Sequence, residues 1–228
     1  MSKKSRNYFI TAGVFFATFL LLVIGLKTID VADWELGSKI GFSSLNIGFY
    51  KATGYSAGWH NLTGKVGYAV FAVAAAFVGL AVYQAISRKS LKKVDGALYV
   101  LGASYVIVAF LYVFFDLVVV NYRPVTIEDK LDPSFPSTHT FMAAYICSSA
   151  AVLCFKYFKN GTVATVCACA VSLLGAFIVI GRTLSGVHWF TDIIGGLLLA
   201  GALFFAFSGC LEIFSKSEKE LEQTEKNA

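Results

Sequence analysis

The chain has 228 residues, 57% of them hydrophobic and only 14% charged, with a formal net charge of +5. Soluble domains carry nearer a quarter of charged residues, so this composition excludes a water-soluble domain and indicates a membrane protein. The basic residues are dispersed beside apolar runs and form no single stripe, which argues against nucleic acid and makes lipid headgroups the expected anionic neighbours.

Six apolar runs follow in chain order, at 8–26, 66–86, 97–120, 139–155, 162–181 and 191–214. Each is near the ~20 residues that a spanning helix needs. A run such as 111–120 is too continuously apolar for a transmembrane strand, whose residues alternate. The expected fold is all-α, a polytopic membrane bundle of six transmembrane helices forming a single integral-membrane domain over 1–228. The first run follows Lys3, Lys4 and Arg6 as a secretory signal would, but it exceeds a typical signal core and lacks a small-residue cleavage site, so it reads as a retained span. The segment 27–65 interleaves Trp34, Phe42, Phe49 and Trp59 with Gly, Ser and Lys and is expected to lie along the interface. The charged, repetitive tail 215–228 is expected to be a frayed cytoplasmic end.

Lys and Arg are retained on the cytoplasmic side. With both termini inside, the inner segments hold 12 of them and the outer segments seven, and the clusters at 3–6 and 88–93 sit directly beside spans. Both termini are therefore expected in the cytoplasm. The five cysteines, Cys147, Cys154, Cys167, Cys169 and Cys210, all fall inside spans, which is no disulfide framework. Cys167-Ala168-Cys169 lacks the spacing of a metal or redox pair, so these residues read as buried small apolar groups, and neither a metal nor a cofactor is expected.

Polar side chains suited to chemistry cluster on the outer side. His188 and Asp192 are four apart and share a helical face if the sixth helix begins that early. The carboxylate can then hold the imidazole and leave its other nitrogen as nucleophile or base; alternatively Asp192 caps the helix. Arg182 places a permanent charge at the membrane edge, which is costly without a use or an anionic partner, and its fork suits phosphate oxygens. Arg123 supplies a second fork on a turn stiffened by Pro124. Pro136-Ser137-Thr138-His139 opens the fourth span, so backbone N–H groups and the Ser137 and Thr138 hydroxyls can bind an anion there, and His139 can protonate a leaving oxygen. Taken singly, Ser137 is also an ordinary N-cap and His139 an interfacial histidine.

Together these residues resemble the type-2 phosphatidic acid phosphatase superfamily, lipid phosphatases related to vanadium haloperoxidases, and bacterial members in particular. The family pattern is a Lys followed seven residues later by Arg-Pro, then Pro-Ser-Gly-His, then Ser-Arg, five residues, His, three residues and Asp. Arg123-Pro124 matches the end of the first part; Pro136, Ser137 and His139 match the second, with Thr138 in place of Gly; Arg182, His188 and Asp192 match the third, with Gly181 in place of Ser. The family Lys is replaced by Asp116, an anion where the family has a cation. Such a two-unit change beside a phosphate is worth several kcal/mol at an effective dielectric of about 20. If the third helix continues to Arg123, Asp116 shares its face and can orient it; the alternative is that Asp116 simply neutralises Arg123 at the membrane edge. Lys130, on the intervening loop, is a candidate for the missing cation.

The resemblance implies metal-independent hydrolysis of a lipid phosphate monoester or diphosphate through a phosphohistidine, at a site facing outward from a bacterial plasma membrane. His188 would attack phosphorus, Asp192 orient it and His139 protonate the leaving group, while Arg123, Arg182, Ser137, Thr138 and nearby N–H groups bind the oxygens. The implied partners are a lipid phosphate and the surrounding membrane lipids. An outward site suits undecaprenyl pyrophosphate in cell-wall synthesis, with phosphatidic acid and phosphatidylglycerol phosphate also open. The rival from another class is a non-catalytic lipid-binding or lipid-transport protein that retains the fold, encouraged by Asp116.

Overall fold

The structure, a computed structural model, describes residues 1–126 and 131–227, with side chains described through residue 215. Lys130 thus lies outside the described residues. Six helices are long and apolar enough to cross a membrane: α1 (Lys3–Thr28), α3 (Ala57–Ser87), α4 (Gly96–Leu117), α5 (Thr138–Tyr157), α6 (Gly161–Leu184) and α7, whose apolar part is Phe190–Ser215. The short helix α2 (Ser43–Thr53) and the antiparallel strands β1 (Ala32–Asp33) and β2 (Lys39–Ile40) lie between α1 and α3. The chain is a multi-pass membrane protein, and large apolar side chains such as Leu21, Phe110 and Leu173 stand exposed where lipid would cover them.

Helix starts follow local chemistry. Ser2 Oγ accepts from Ser5 N–H at 3.0 Å, Ser56 Oγ from Trp59 N–H at 3.4 Å, and Asn160 Oδ1 from Thr162 N–H at 2.9 Å. The most buried span, α5, packs against α3, α6 and α7, and α7 also packs against α1 and α4. Lys4 pairs with Glu212 at 3.0 Å and Ser5 Oγ donates to Gly209 O at 3.2 Å, so the N-terminus meets the end of the apolar part of α7. The start of α7 lies at the opposite end, with the α6–α7 turn and the segment between α1 and α3.

α3 begins at Ala57 instead of 66, because Ser56 caps a turn whose polar residues look interfacial in sequence. The segment after α1 is built of α2 and the two short strands. It folds onto the bundle's end: Asn46 Nδ2 donates to Thr191 Oγ1 at 3.0 Å, its Oδ1 accepts from Thr191 N–H at 3.1 Å, and Trp34 lies edge-on to Trp189 with ring centres 5.2 Å apart. The backbone of α7 continues as helix to Asn227, where the sequence suggests a frayed end, in a stretch rich in the helix formers Glu, Lys and Gln. Cys147 and Cys154 are buried as expected, whereas Cys169 is exposed on the outside of α6.

Candidate active site

The polar end of the bundle is assembled by close approaches. Gly196 lets α7 touch the start of α5: a Cβ there would lie 2.9 Å from Ser137 O, and Ser137 N–H donates to Asp192 O at 3.0 Å. Gly186, at φ 64° in the turn from α6 to α7, occupies the left-handed region that favours glycine, and a Cβ there would overlap Gly54 O. The start of α5, with Ser137, is thereby held against the start of α7, with Asp192.

His188 lies two residues before α7, so the shared helical face does not arise, yet the pair still meets. His188 Nδ1 donates to Ser134 O at 3.1 Å, with Asp192 Oδ2 at 3.7 Å. The carboxylate is therefore the ring's charged neighbour, while the backbone carbonyl takes its closer contact. Asp192 also does what the capping alternative required: Oδ2 accepts Trp189 N–H at 2.9 Å, the return half of a capping box. The Asn121 and Ser134 side chains lie near the same carboxylate. Asn121 Nδ2, Ser134 Oγ and Asp192 Oδ1 are all buried without a hydrogen-bond partner among the described residues.

The tautomer of His188 follows from its other neighbour. Arg182 Nη2 lies 3.3 Å from His188 Nε2, and a guanidinium can only donate, so Nε2 is an acceptor with its lone pair outward and Nδ1 carries the proton. Burial first, then the charges of Arg182 and Arg123 and the neighbouring His139, push the His188 pKa well below its ordinary value. The ring is neutral at neutral pH, and Nε2 is a free nucleophilic nitrogen once Arg182 turns away.

Arg123 sits outside any helix. α4 stops at Leu117, so Asp116 and Arg123 do not share a helical face, and the carboxylate within ion-pair reach of Arg123 among the described residues is Asp132, at 3.6 Å. The loop is pinned on both sides of Arg123: Trp189 Nε1 donates to Tyr122 O at 2.7 Å and Trp34 Nε1 to Pro124 O at 3.1 Å. Tyr122 also bridges antiparallel to Pro133.

Arg123, Asp116, Thr138, His139 and His188 line one cavity of about 120 Å³. His139 and Arg182 line a second, of about 850 Å³, walled by apolar residues of α3, α4 and α5. His139 thus stands where a compact polar chamber meets a long apolar one. Ser137 and Asp192 are fully buried behind these walls. Ser137 Oγ, Arg123 Nε and Arg182 Nε are buried without a hydrogen-bond partner among the described residues, and Ser137 occupies the N-cap position without capping. Sequence reasoning missed His60, whose Nδ1 accepts from Arg182 Nη1 at 3.1 Å, as well as Asp132 and the two tryptophans. His60 had one signal in the sequence: it is one of three histidines in a chain this apolar.

A family model described as the PAP2 superfamily matches residues 93–214, more than half of the chain. The chain belongs to the PAP2 superfamily. The matched stretch contains the three motif parts around Arg123, His139 and His188 and excludes His60 and Trp34. A solved transmembrane PAP2-type phosphatidylglycerolphosphate phosphatase from Bacillus subtilis shares the fold, with a TM-score of 0.61 and 19% identity over 89% of this chain and 96% of that one. No curated protein sequence matches the chain.

Proposed function

We propose that this PAP2 protein hydrolyses the phosphate monoester or diphosphate of a membrane lipid through a phosphohistidine at the outer membrane face, with both termini in the cytoplasm. The observation that carries this reading is the state of His188: neutral, proton on Nδ1, and Nε2 lone pair held by the donor group of Arg182. In this reading phosphate draws Arg182 Nη2 away from the imidazole and engages the unpartnered Nε, and His188 Nε2 attacks phosphorus as the bond to the lipid oxygen breaks. Protonated His139 gives its proton to that oxygen. Water then attacks the phosphorus, His139 takes the water's proton, and the N–P bond breaks to release phosphate. Asp192 stabilises the His188 imidazolium, and Arg123, Arg182, Thr138 and the first N–H groups of α5 hold the equatorial oxygens. The buried donors without protein partners, Ser137 Oγ among them, favour an anionic ligand.

The junction of the chambers supports a lipid substrate: phosphate fits beside Arg123 and Thr138 while the tail follows the apolar chamber into the bilayer. Candidate substrates are undecaprenyl pyrophosphate, phosphatidic acid and phosphatidylglycerol phosphate, the last matching the name of the Bacillus subtilis relative. Phosphate release from a panel of these lipids by the purified protein tests the reading. Turnover in the presence of a chelator and inhibition by vanadate are expected. Lipid binding without phosphate release from any of them would favour the non-catalytic alternative.

A further inference from the structure

We propose that His60 is a positioning residue for Arg182, gripping the guanidinium with a neutral acceptor so that its whole charge stays available for phosphate. This inference rests on the lipid phosphatase reading above. Arg182 is 1% exposed, a depth at which an arginine ordinarily has a carboxylate partner. Among the described residues no carboxylate lies within ion-pair distance of it. Its two Nη nitrogens instead donate to imidazoles, Nη1 to His60 Nδ1 at 3.1 Å and Nη2 to His188 Nε2 at 3.3 Å, while Nε has no partner.

The two imidazole contacts differ in what phosphate does to them. The contact to His188 must break, because it occupies the attacking lone pair. The contact to His60 can persist, so Arg182 swings about a fixed Nη1 with Nη2 and Nε turning to the substrate. A carboxylate in place of His60 would fix the guanidinium equally well, but it would cancel the charge and compete with phosphate for the same donors.

The scaffold brings His60 to this position across 122 residues of sequence. Gly181 precedes Arg182, and a Cβ there would overlap Thr63 Cγ2 and lie 3.1 Å from Trp59 Cε3, so its bareness admits the first turns of α3 against α6. Ser56 N–H donates to Ser185 O at 3.0 Å and ties the start of α3 to the end of α6. His60 also lines the apolar chamber beside Arg182 and His139.

The test compares His60→Ala, His60→Asn and His60→Asp in the full chain, reading kcat and KM for a lipid phosphate together with affinity for inorganic phosphate from the melting-temperature shift. Asn places an oxygen where His has Nδ1. His60→Ala is expected to lose on the order of 10²-fold in kcat/KM, the cost of a misplaced binding group, and His60→Asn to recover most of it. His60→Asp is expected to melt no lower than His60→Asn, because it gains an ion pair, yet to bind phosphate roughly tenfold more weakly and show a raised KM. A merely structural His60 would make the Asp variant at least as active as the Asn variant. That result, or an unchanged His60→Ala, overturns the inference. If His60→Ala does not fold, the Asn and Asp pair decides. A wild-type protein that releases no phosphate would sink the phosphatase reading alone, and the phosphate affinities of the same variants would still decide the role of His60.

Discussion

Arg182 and Arg123 offer the same planar fork to two chambers that meet at His139, but they are held by different means. Arg182 projects from α6, is 1% exposed and is gripped by two neutral imidazoles. Arg123 rides a loop, its side chain 22% exposed, with a carboxylate partner in Asp132 and two tryptophan N–H groups on the flanking carbonyls. A helix delivers a preorganised charge; a loop delivers one that must be pinned from outside and drawn from a counter-ion.

The largest expected effect separates the two arginines. Arg182→Leu should lower kcat/KM by on the order of 10³-fold, the upper range for losing a preorganised oxyanion donor, and Arg123→Leu by on the order of 10²-fold. Steady-state kinetics on one lipid phosphate checks this, and equal losses would erase the distinction. Next in size, Trp34→Phe removes the indole donor to Pro124 O while keeping the ring, and should raise KM about tenfold with little change in kcat. An unchanged KM would mean that the loop holds Arg123 without its outer pin.

Much of this was legible in the sequence, for physical reasons. Apolar runs mark spans directly, and the spacing from Arg182 to His188 to Asp192 survives because all three sit around one tight helix-to-helix turn. The start of α3 was misjudged because Gly58, Trp59, His60 and Asn61 resemble an interfacial strap, although they form the helix end that reaches Arg182. The Arg123 half was the hard one. Its partners come from the β1–β2 segment and from beyond the loop tip, as with Trp34 acting across 90 residues, and no local period announces such contacts. The expected role of Asp116 depended on α4 reaching Arg123, and α4 ends at Leu117.

Asp116 still lines the small chamber, where its charge opposes phosphate. Because it is exposed and screened, Asp116→Asn should lower KM only about threefold. A fall in kcat instead would restore an orienting role toward Arg123. The smallest effect is on pH. In the proposed reaction His188 acts when neutral, and because its pKa is held well below the ordinary value, activity should fall on acidification only beneath the usual histidine range. Arg123→Leu removes one of the charges that hold it down, so the acid limb of kcat/KM should move to higher pH. A limb that stays in place would show that the Arg123 charge does not reach the nucleophile.

In the proposed reaction His188 carries the phosphoryl group. Rapid mixing of the purified protein with a lipid phosphate radiolabelled in its phosphate, quenched in base to preserve a phosphohistidine, measures this directly. Transient label is expected on a peptide containing His188, absent from His188→Ala along with turnover. Hydrolysis by the wild type with no labelled peptide, or turnover that persists in His188→Ala, would contradict it.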